Sequence, residues 1–470
     1  MTRPGISASG RTAVSRRRFL SMAGLGAAGA TAFPTIICGT TAQAKSSGGG
    51  KVQPGTLSLF IGKDTSYPAQ QAQGMNVLLD LFKRKFPGSS FTWDTYASSS
   101  EELAKLETSA AAHSGADIFE FGSTLIPTAY SSKSFETITS SMWDELGGKK
   151  AFIEAQLAMA GPSPNHLIAV PKTANPYAMV YNTKLLRAAG ISKPPTTWNE
   201  FVEYAKEMTR AGKNQYGAVA DYADGFDPWH YTWLFTTQLG GDMISRDGKT
   251  ALLDSPEVEE AVSFWLNWAA KFGIAARTDA TYTGADMSKA FATGTIGMIP
   301  LAGPGGIAAF NASPVAGSYA WTSNPTIPYG RHSLPKGGRP AQGFVSGQYW
   351  SISKWSPKKE LAFELIKLMV SPEIQYQFFK QDAQVPVTWA TFTKYPETKK
   401  SPWNVFVPAE EKSYPTAFSG AWGQLEVYMG QAVNQMAGQI ASTGTFKSSD
   451  LKSALTQANT QLQSALAQQP

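Results

Sequence analysis

The sequence predicts an α/β fold built on an open, mostly parallel sheet. Apolar runs of strand length alternate with helix-period runs from residue 56 onward, and Pro-Gly or Gly-rich breaks separate them. Hydrophobic residues make up 42% and aromatics 12% of the 470 residues, enough for a sizeable core. TLSLFI (56–61) reads as the first strand, and 69–86 as a helix with Val77, Leu78, Leu81 and Phe82 on its apolar face. Pro87-Gly88 stops that helix, SFTWDTY (90–96) is the second strand, 101–113 the second helix, and ADIFEF (116–121) a short buried strand. In such β-α-β-α-β sheets ligands sit beyond the carboxyl ends of the strands, so the loops at 64–67 and 120–124 are expected site walls.

Further along, LIAVPK (167–172) and YAMVYN (177–182) are strands, and 183–189 is a helix. In PPTTWNEF (194–201) two prolines prevent that helix from continuing, and Thr197 with Glu200 matches a T-x-x-E capping box for the next one. Phe201, Tyr204, Ala205 and Met208 give that helix a buried face, with Trp198 expected in the scaffold. Residues 258–272 form an aromatic-rich helix, GTIGMIPL (294–301) a strand running into Gly-Pro-Gly-Gly, 349–353 a strand and 358–370 a helix. Leu451, Leu455, Leu462 and Leu466 line one side of a final helix.

The N-terminus carries an export signal. Ser15, Arg16, Arg17, Phe19 and Leu20 fit the twin-arginine pattern, a Gly/Ala-rich stretch follows, and Ala42-Gln43-Ala44 is a small-x-small cleavage site. Its Gly/Ala content and Pro34 make it a poor membrane span, and Ile37 before Cys38 is too large for a lipoprotein site. GLGAAG (24–29) matches a dinucleotide fingerprint only by letters, since no strand precedes it. The full chain has 41 basic and 35 acidic residues, net +6. Cleavage after Ala44 removes five arginines and no acid, leaving 36 against 35, net +1, so the mature chain has no electrostatic case for nucleic acid. The single cysteine leaves as well, which excludes an internal disulfide and a thiol nucleophile.

Motifs for catalysis, metals and cofactors are missing. His113, His166, His230 and His332 show no H-E-x-x-H spacing, and no G-x-S-x-G elbow occurs. DGKT (247–250) is similar to the end of a phosphate loop, but Met243 stands where its first glycine belongs, so a β-turn is expected. DYADGFD (221–227) has carboxylates without calcium-loop spacing. A glycosidase-type carboxylate pair meets only in space and leaves no spacing to read.

Several stretches, in order, carry a family resemblance: ADIFEFG, IAVPKTANPYAMVYNTKLLRAAGISKPPTTWNEFVEYAK, the Gly240-Gly241 pair, AFATGTIGMIPLAGPG (290–305) and SISKWSPKKELAFELIKLMVSPEIQYQFF (351–379). Across essentially the whole mature chain this resembles the extracellular solute-binding proteins of ABC importers, in the sugar-binding group that includes maltose-binding protein. The resemblance implies a two-lobed, periplasmic-binding-protein-like (type II) α/β fold with hinge strands between the lobes. It also implies no catalysis, no cofactor and no metal. The expected division is a cleaved leader (1–44), lobe 1 (45–172), lobe 2 (173–323), lobe 1 again (324–375) and a C-terminal lobe 2 segment (376–470). The chain is expected to be a periplasmic monomer that captures a saccharide or polyol and passes it to the permease subunits in the inner membrane.

Carried over residue by residue, the resemblance places ligand contacts at Asp64, Thr65 and Tyr67 in the first strand–helix loop, at Glu120 as a hydroxyl acceptor, and at Asn175 near the hinge. Trp229 and His230 lie in the aromatic run DPWHYTW, and Gly303 and Gly305 stand where many relatives have Gly-Pro-Trp, so Gly305 implies a roomier pocket. Gly347, Gln348 and Tyr349 follow a glycine-rich approach that suits backbone close to ligand, and Trp422 resembles a late aromatic of maltose-binding protein. Two other readings are a secreted carbohydrate-active enzyme, with Glu120 or Asp227 as candidate carboxylates, and a binder of a polyamine or a phosphorylated solute.

Overall fold

The computed structural model describes residues 52–64 and 68–469, so the leader and the signal motif lie outside the described residues. Among the described residues, nine strands form two mixed sheets, one per lobe. β1 (Thr56–Gly62), β2 (Ser90–Tyr96), β3 (Ile118–Gly122), β4 (Val170–Ala174) and β9 (Gly347–Ile352) make the first sheet, in the order β2-β1-β3-β9-β4. β5 (Ala178–Asn182), β6 (Tyr216–Ala218), β7 (Ile296–Ala302) and β8 (Tyr319–Thr322) make the second, in the order β6-β7-β5-β8.

β1 runs parallel to β2 and β3, as the alternating pattern predicts, and β9 is antiparallel to both β3 and β4. The sheet is mixed because β9 is the chain's return from the second lobe, threaded between strands laid down before the departure. The helix Pro68–Lys85 buries Gly74, Met75, Leu78 and Phe82, while Val77 is 37% exposed, so its apolar face is rotated from the one expected. The Thr197 hydroxyl accepts from the Glu200 N–H at 3.1 Å, and the Glu200 carboxylate accepts from the Thr197 N–H at 3.3 Å. That closes the capping box, worth about 1 kcal/mol. Trp198 next to it is fully buried and donates its indole N–H to Gln238 at 2.7 Å, a scaffold role. DGKT forms a tight turn with Gly248 at φ +73°, between the bridged residues Ile244 and Ala251.

The chain passes between lobes at three points that bond to one another. It leaves the first sheet at Ala174, whose neighbour across the sheet is Gly347 on the returning strand. Asn175 N–H donates to Ser346 C=O at 2.9 Å, Ala174 N–H to Val385 C=O at 3.0 Å, and Val345 N–H to Tyr414 C=O at 2.9 Å. The second and third passages come later than the expected 323–324 and 375–376. Gln238 donates to both Pro325 C=O and Ala341 C=O, which ties residues 325–341 to the second lobe, and the chain returns at 344–346. The helix Pro372–Asp382 packs on Pro68–Lys85, and Gln375 donates to Lys172 C=O at 2.7 Å, which keeps this region on the first lobe. The chain rejoins the second lobe at the helix Trp422–Thr443, which packs against Asp227–Leu239, and the helix Ser448–Leu466 follows it there.

Gly347 shows how tight the hinge is: a Cβ there would lie 2.3 Å from Thr173 C=O and 2.6 Å from Gln156 Oε1. Since backbone cannot step aside, Gly347→Ala is expected to cost about 1–3 kcal/mol, read as a lower urea midpoint. An unchanged midpoint would contradict this packing.

Candidate functional site

The carboxyl ends of β1, β3, β4 and β7 converge on a cleft between the lobes, which holds three adjoining cavities. The first, about 280 Å³, is polar and lined by Asp64, Glu120, Lys172, Thr173, Asn175, Gly303, Gly305 and Gln348 among others. The middle one, about 350 Å³, is ringed by Tyr177, Phe226, Trp229, His230 and Phe344, with Asn175, Gly347 and Gln348 on its floor. The third, about 260 Å³, lies between Glu102, Thr124, Phe226, Glu426 and Val427. Asn175, Tyr177 and Gln348 line both the first and the middle cavity, and Glu102, Thr124 and Phe226 both the middle and the third, so the three form one continuous cleft.

Most residues singled out in the sequence meet here. The first loop is held by Gln71, which donates to Gly62 C=O at 2.6 Å and accepts from the Asp64 N–H at 3.0 Å. Thr65 and Tyr67 lie outside the described residues. Glu120 is nearly fully buried, and its Oε2 takes an ion pair from Lys172 at 2.8 Å, so the expected hydroxyl acceptor already has a cationic partner. Burial raises its pKa and Lys172 opposes that rise. The Lys172 ammonium also lies 4.9 Å from the Trp350 ring and 5.4 Å from the Phe378 ring, centroid to nitrogen. At Gly303 and Gly305 an added Cβ would meet nothing within 4 Å.

Two residues expected at the ligand are packed away from these cavities. Tyr349 is fully buried and donates its hydroxyl to Gln156 at 2.6 Å; Gln156 in turn donates to Glu410 at 2.7 Å and to Ser346 C=O at 2.9 Å. Because side chains alternate along β9, Gln348 faces the cleft and Tyr349 the hinge network. Trp422 is 1% exposed and stands edge-on behind Trp229, centroids 5.5 Å apart. Trp229 itself is 2% exposed and lies 4.6 Å from Phe344, so mainly its edge reaches the cavity.

Sequence reasoning missed Tyr177, Phe226, Phe344, Lys172, Glu102 and Glu426. Tyr177 follows the turn-forming Asn175-Pro176 and Phe344 sits inside GFVSGQ, so both had a local signal. Glu102 and Glu426 come from two helices far apart in sequence, Ser99–Ala112 and Trp422–Thr443, and carry none.

Two expectations follow from the buried charges. Lys172→Met strands the Glu120 carboxylate and should cost about 3–5 kcal/mol, with much of the loss recovered in Lys172→Met/Glu120→Leu; an additive double variant would contradict the pairing. Burial holds Glu102 and Glu426 at about 8 instead of 4.5. A raised carboxyl pKa means that the folded form binds the extra protons, so stability should fall as pH rises from about 4.5 to about 8. Glu102→Gln/Glu426→Gln should flatten the Tm-versus-pH curve across that window; an unchanged slope would contradict it.

The sequence matches the model of the bacterial extracellular solute-binding protein family over residues 65–376. A binding protein of Brucella abortus (strain 2308) is 25% identical over 333 residues, covering 68% of this chain and 74% of that one. The diacetylchitobiose binding protein DasA of Streptomyces coelicolor is 24% identical over 288 residues, covering 60% and 63%. Among solved structures, an ABC transporter solute-binding protein of Thermotoga lettingae bound with α-D-tagatose superposes with TM-score 0.71 at 18% identity, covering 87% of this chain and 99% of that one. One from Agrobacterium radiobacter K84 in complex with ribitol also gives 0.71, at 21% identity, covering 88% and 99%. At such identities the superpositions establish the two-lobed fold. The family match spans well over half the chain, so this protein belongs to the bacterial extracellular solute-binding proteins and is a binding protein, not an enzyme.

Proposed function

We propose that the protein captures a neutral saccharide or polyol in the interlobe cleft and delivers it to the permease subunits of an ABC importer. It works as a periplasmic monomer, after twin-arginine export and cleavage at Ala44. The observation that carries this reading is the pairing of an aromatic-walled cavity with a polar one. Ring faces of Tyr177 and Phe226 suit the apolar C–H patches of a sugar, and Thr173, Asn175 and Gln348 suit its hydroxyls. Thr173 Oγ1 and Gln348 Oε1 are buried with no hydrogen-bond partner among the described residues, a cost that ligand hydroxyls would relieve.

The charges favour a neutral solute. Glu120 neutralises Lys172, which removes an obvious phosphate anchor, and Glu102 and Glu426 are held protonated near neutral pH, which weakens the case for a polyamine. The relatives bound to tagatose and ribitol point the same way. Binding energy drives closure: a ligand that contacts both lobes favours the closed form by the difference of its affinities for the two.

A thermal-shift panel of maltose, tagatose, ribitol, other saccharides, amines and sugar phosphates tests this. A saccharide or polyol at about a hundredfold excess over Kd should stabilise the protein by about 2.7 kcal/mol, without product formation. Stabilisation only by amines or phosphates, or turnover of a glycan, would overturn the reading.

A further inference from the structure

The acidic loop DYADGFD, unexplained by spacing alone, sits directly behind the cleft histidine. His230 is 7% exposed and lines the middle cavity, with ring centroids of Trp229, Phe344 and Tyr177 at 4.2, 4.6 and 5.5 Å. Its Nδ1 lies 2.7 Å from Asp227 Oδ1, and no described residue bonds its Nε2. Asp224 has a different task. It accepts from the N–H groups of Phe226, Asp227 and Gly284 at 2.8, 3.2 and 2.9 Å, so its carboxylate is spent on shaping the loop and the start of the helix Asp227–Leu239.

Asp221 is fully buried, and no N–H or O–H of another described residue reaches either of its oxygens. A bare carboxylate could not persist there. Its polar neighbour is the Asp227 carboxyl, and two buried acids in contact favour a shared proton over two charges. Burial, and then the charge of Asp227, push the Asp221 pKa well up. Burial also acts to raise Asp227, but hydrogen bonds from Asp221 and His230 outweigh it and hold Asp227 below its ordinary value. Asp227 thus stands between Asp221 on one side and His230 Nδ1 on the other.

We propose that Asp221 and Asp227 are positioning residues that fix His230 with the proton on Nδ1 and Nε2 bare, so that Nε2 accepts a hydrogen bond from a ligand hydroxyl in the middle cavity. This rests on the saccharide or polyol reading above. A carboxylate that orients an imidazole and sets its tautomer from behind is a recurrent arrangement in catalytic and metal sites; here it would serve recognition. The contact is directional: it takes a hydroxyl donor at one place on the aromatic wall. Other titratable groups around the same cavity are Lys63, Tyr96, Glu102 and Tyr177.

The test is imidazole nitrogen NMR on the full mature chain, with titrations of maltose, tagatose and ribitol. Wild type at pH 7.5 should show Nδ1–H and bare Nε2 for His230. Asp227→Asn should invert the tautomer, because its amide donates to Nδ1, and should raise Kd at least tenfold while Tm stays within a few degrees. Asp221→Leu removes the donor to Asp227 and should also raise Kd, and Asp221→Asn, which keeps a donor, should recover part of that loss. A wild-type ring protonated on Nε2, or an Asp227→Asn variant that binds as tightly as wild type, overturns the proposal. The expected tautomer combined with no wild-type affinity for any of the three probes overturns the saccharide reading and leaves the positioning of His230 standing.

Discussion

The hydrogen bonding between the three interlobe passages is the constraint on which the rest of the molecule depends. β9 lies between β3 and β4, so the strand that returns from the second lobe pairs with the strand that departed for it. Tyr414 and Val385 then tie the last passage to the first two. Each bond contributes only about 0.5–1.5 kcal/mol net, but together they confine lobe motion to rotation about one seam. Gly347, with no room for a Cβ, and the Tyr349–Gln156–Glu410 network lock the seam from behind. The cleft opens directly beside it, so residues next to the hinge are also cleft residues: Asn175, Ser346 and Gln348 line its floor.

Chemistry is divided along the cleft. Next to the hinge, polar side chains face a cavity whose strongest charges, Lys172 and Glu120, cancel. Away from it, Tyr177, His230 and Phe344 form a stack backed by Trp229 and Trp422. At the far end Glu102 and Glu426, one from each lobe, face the third cavity as neutral acids. Along the cleft, Lys172 and Glu120 are paired and Glu102 and Glu426 protonated, as low-dielectric burial favours. That leaves shape and hydrogen bonding, more than charge, to choose the solute.

Much of the scaffold was legible in the sequence because its signals are local. Thr197 and Glu200 sit three residues apart and cap a helix wherever that helix packs, and SFTWDTY is a strand at the very residues expected. The direction of β9 was less legible, since antiparallel insertion depends on the passage from residue 175 to residue 346 through the other lobe. The late lobe boundaries were hidden because Gln238, far from both in sequence, anchors 325–341. At the cleft, Asp64, Glu120, Asn175, Trp229, His230, Gly303, Gly305, Gly347 and Gln348 come together in space. Tyr349 and Trp422 carried the right residue types, but strand alternation and a second aromatic layer turned them toward the interior. Lys172, Glu102 and Glu426 acquire their meaning only from partners on other elements.

Closure on a solute is the central claim, and interlobe distance tests it most directly. Dyes on cysteines introduced at Val77 and Tyr329, both partly exposed and one on each lobe, would report that distance by energy transfer. Cys38, the chain's one native cysteine, leaves with the leader if cleavage follows Ala44. Converting a 1:99 open-to-closed bias into 99:1 requires about 5.5 kcal/mol of differential binding, so a tight saccharide should drive nearly the whole population to the shorter distance. A saccharide that binds while the distance stays fixed would contradict the account.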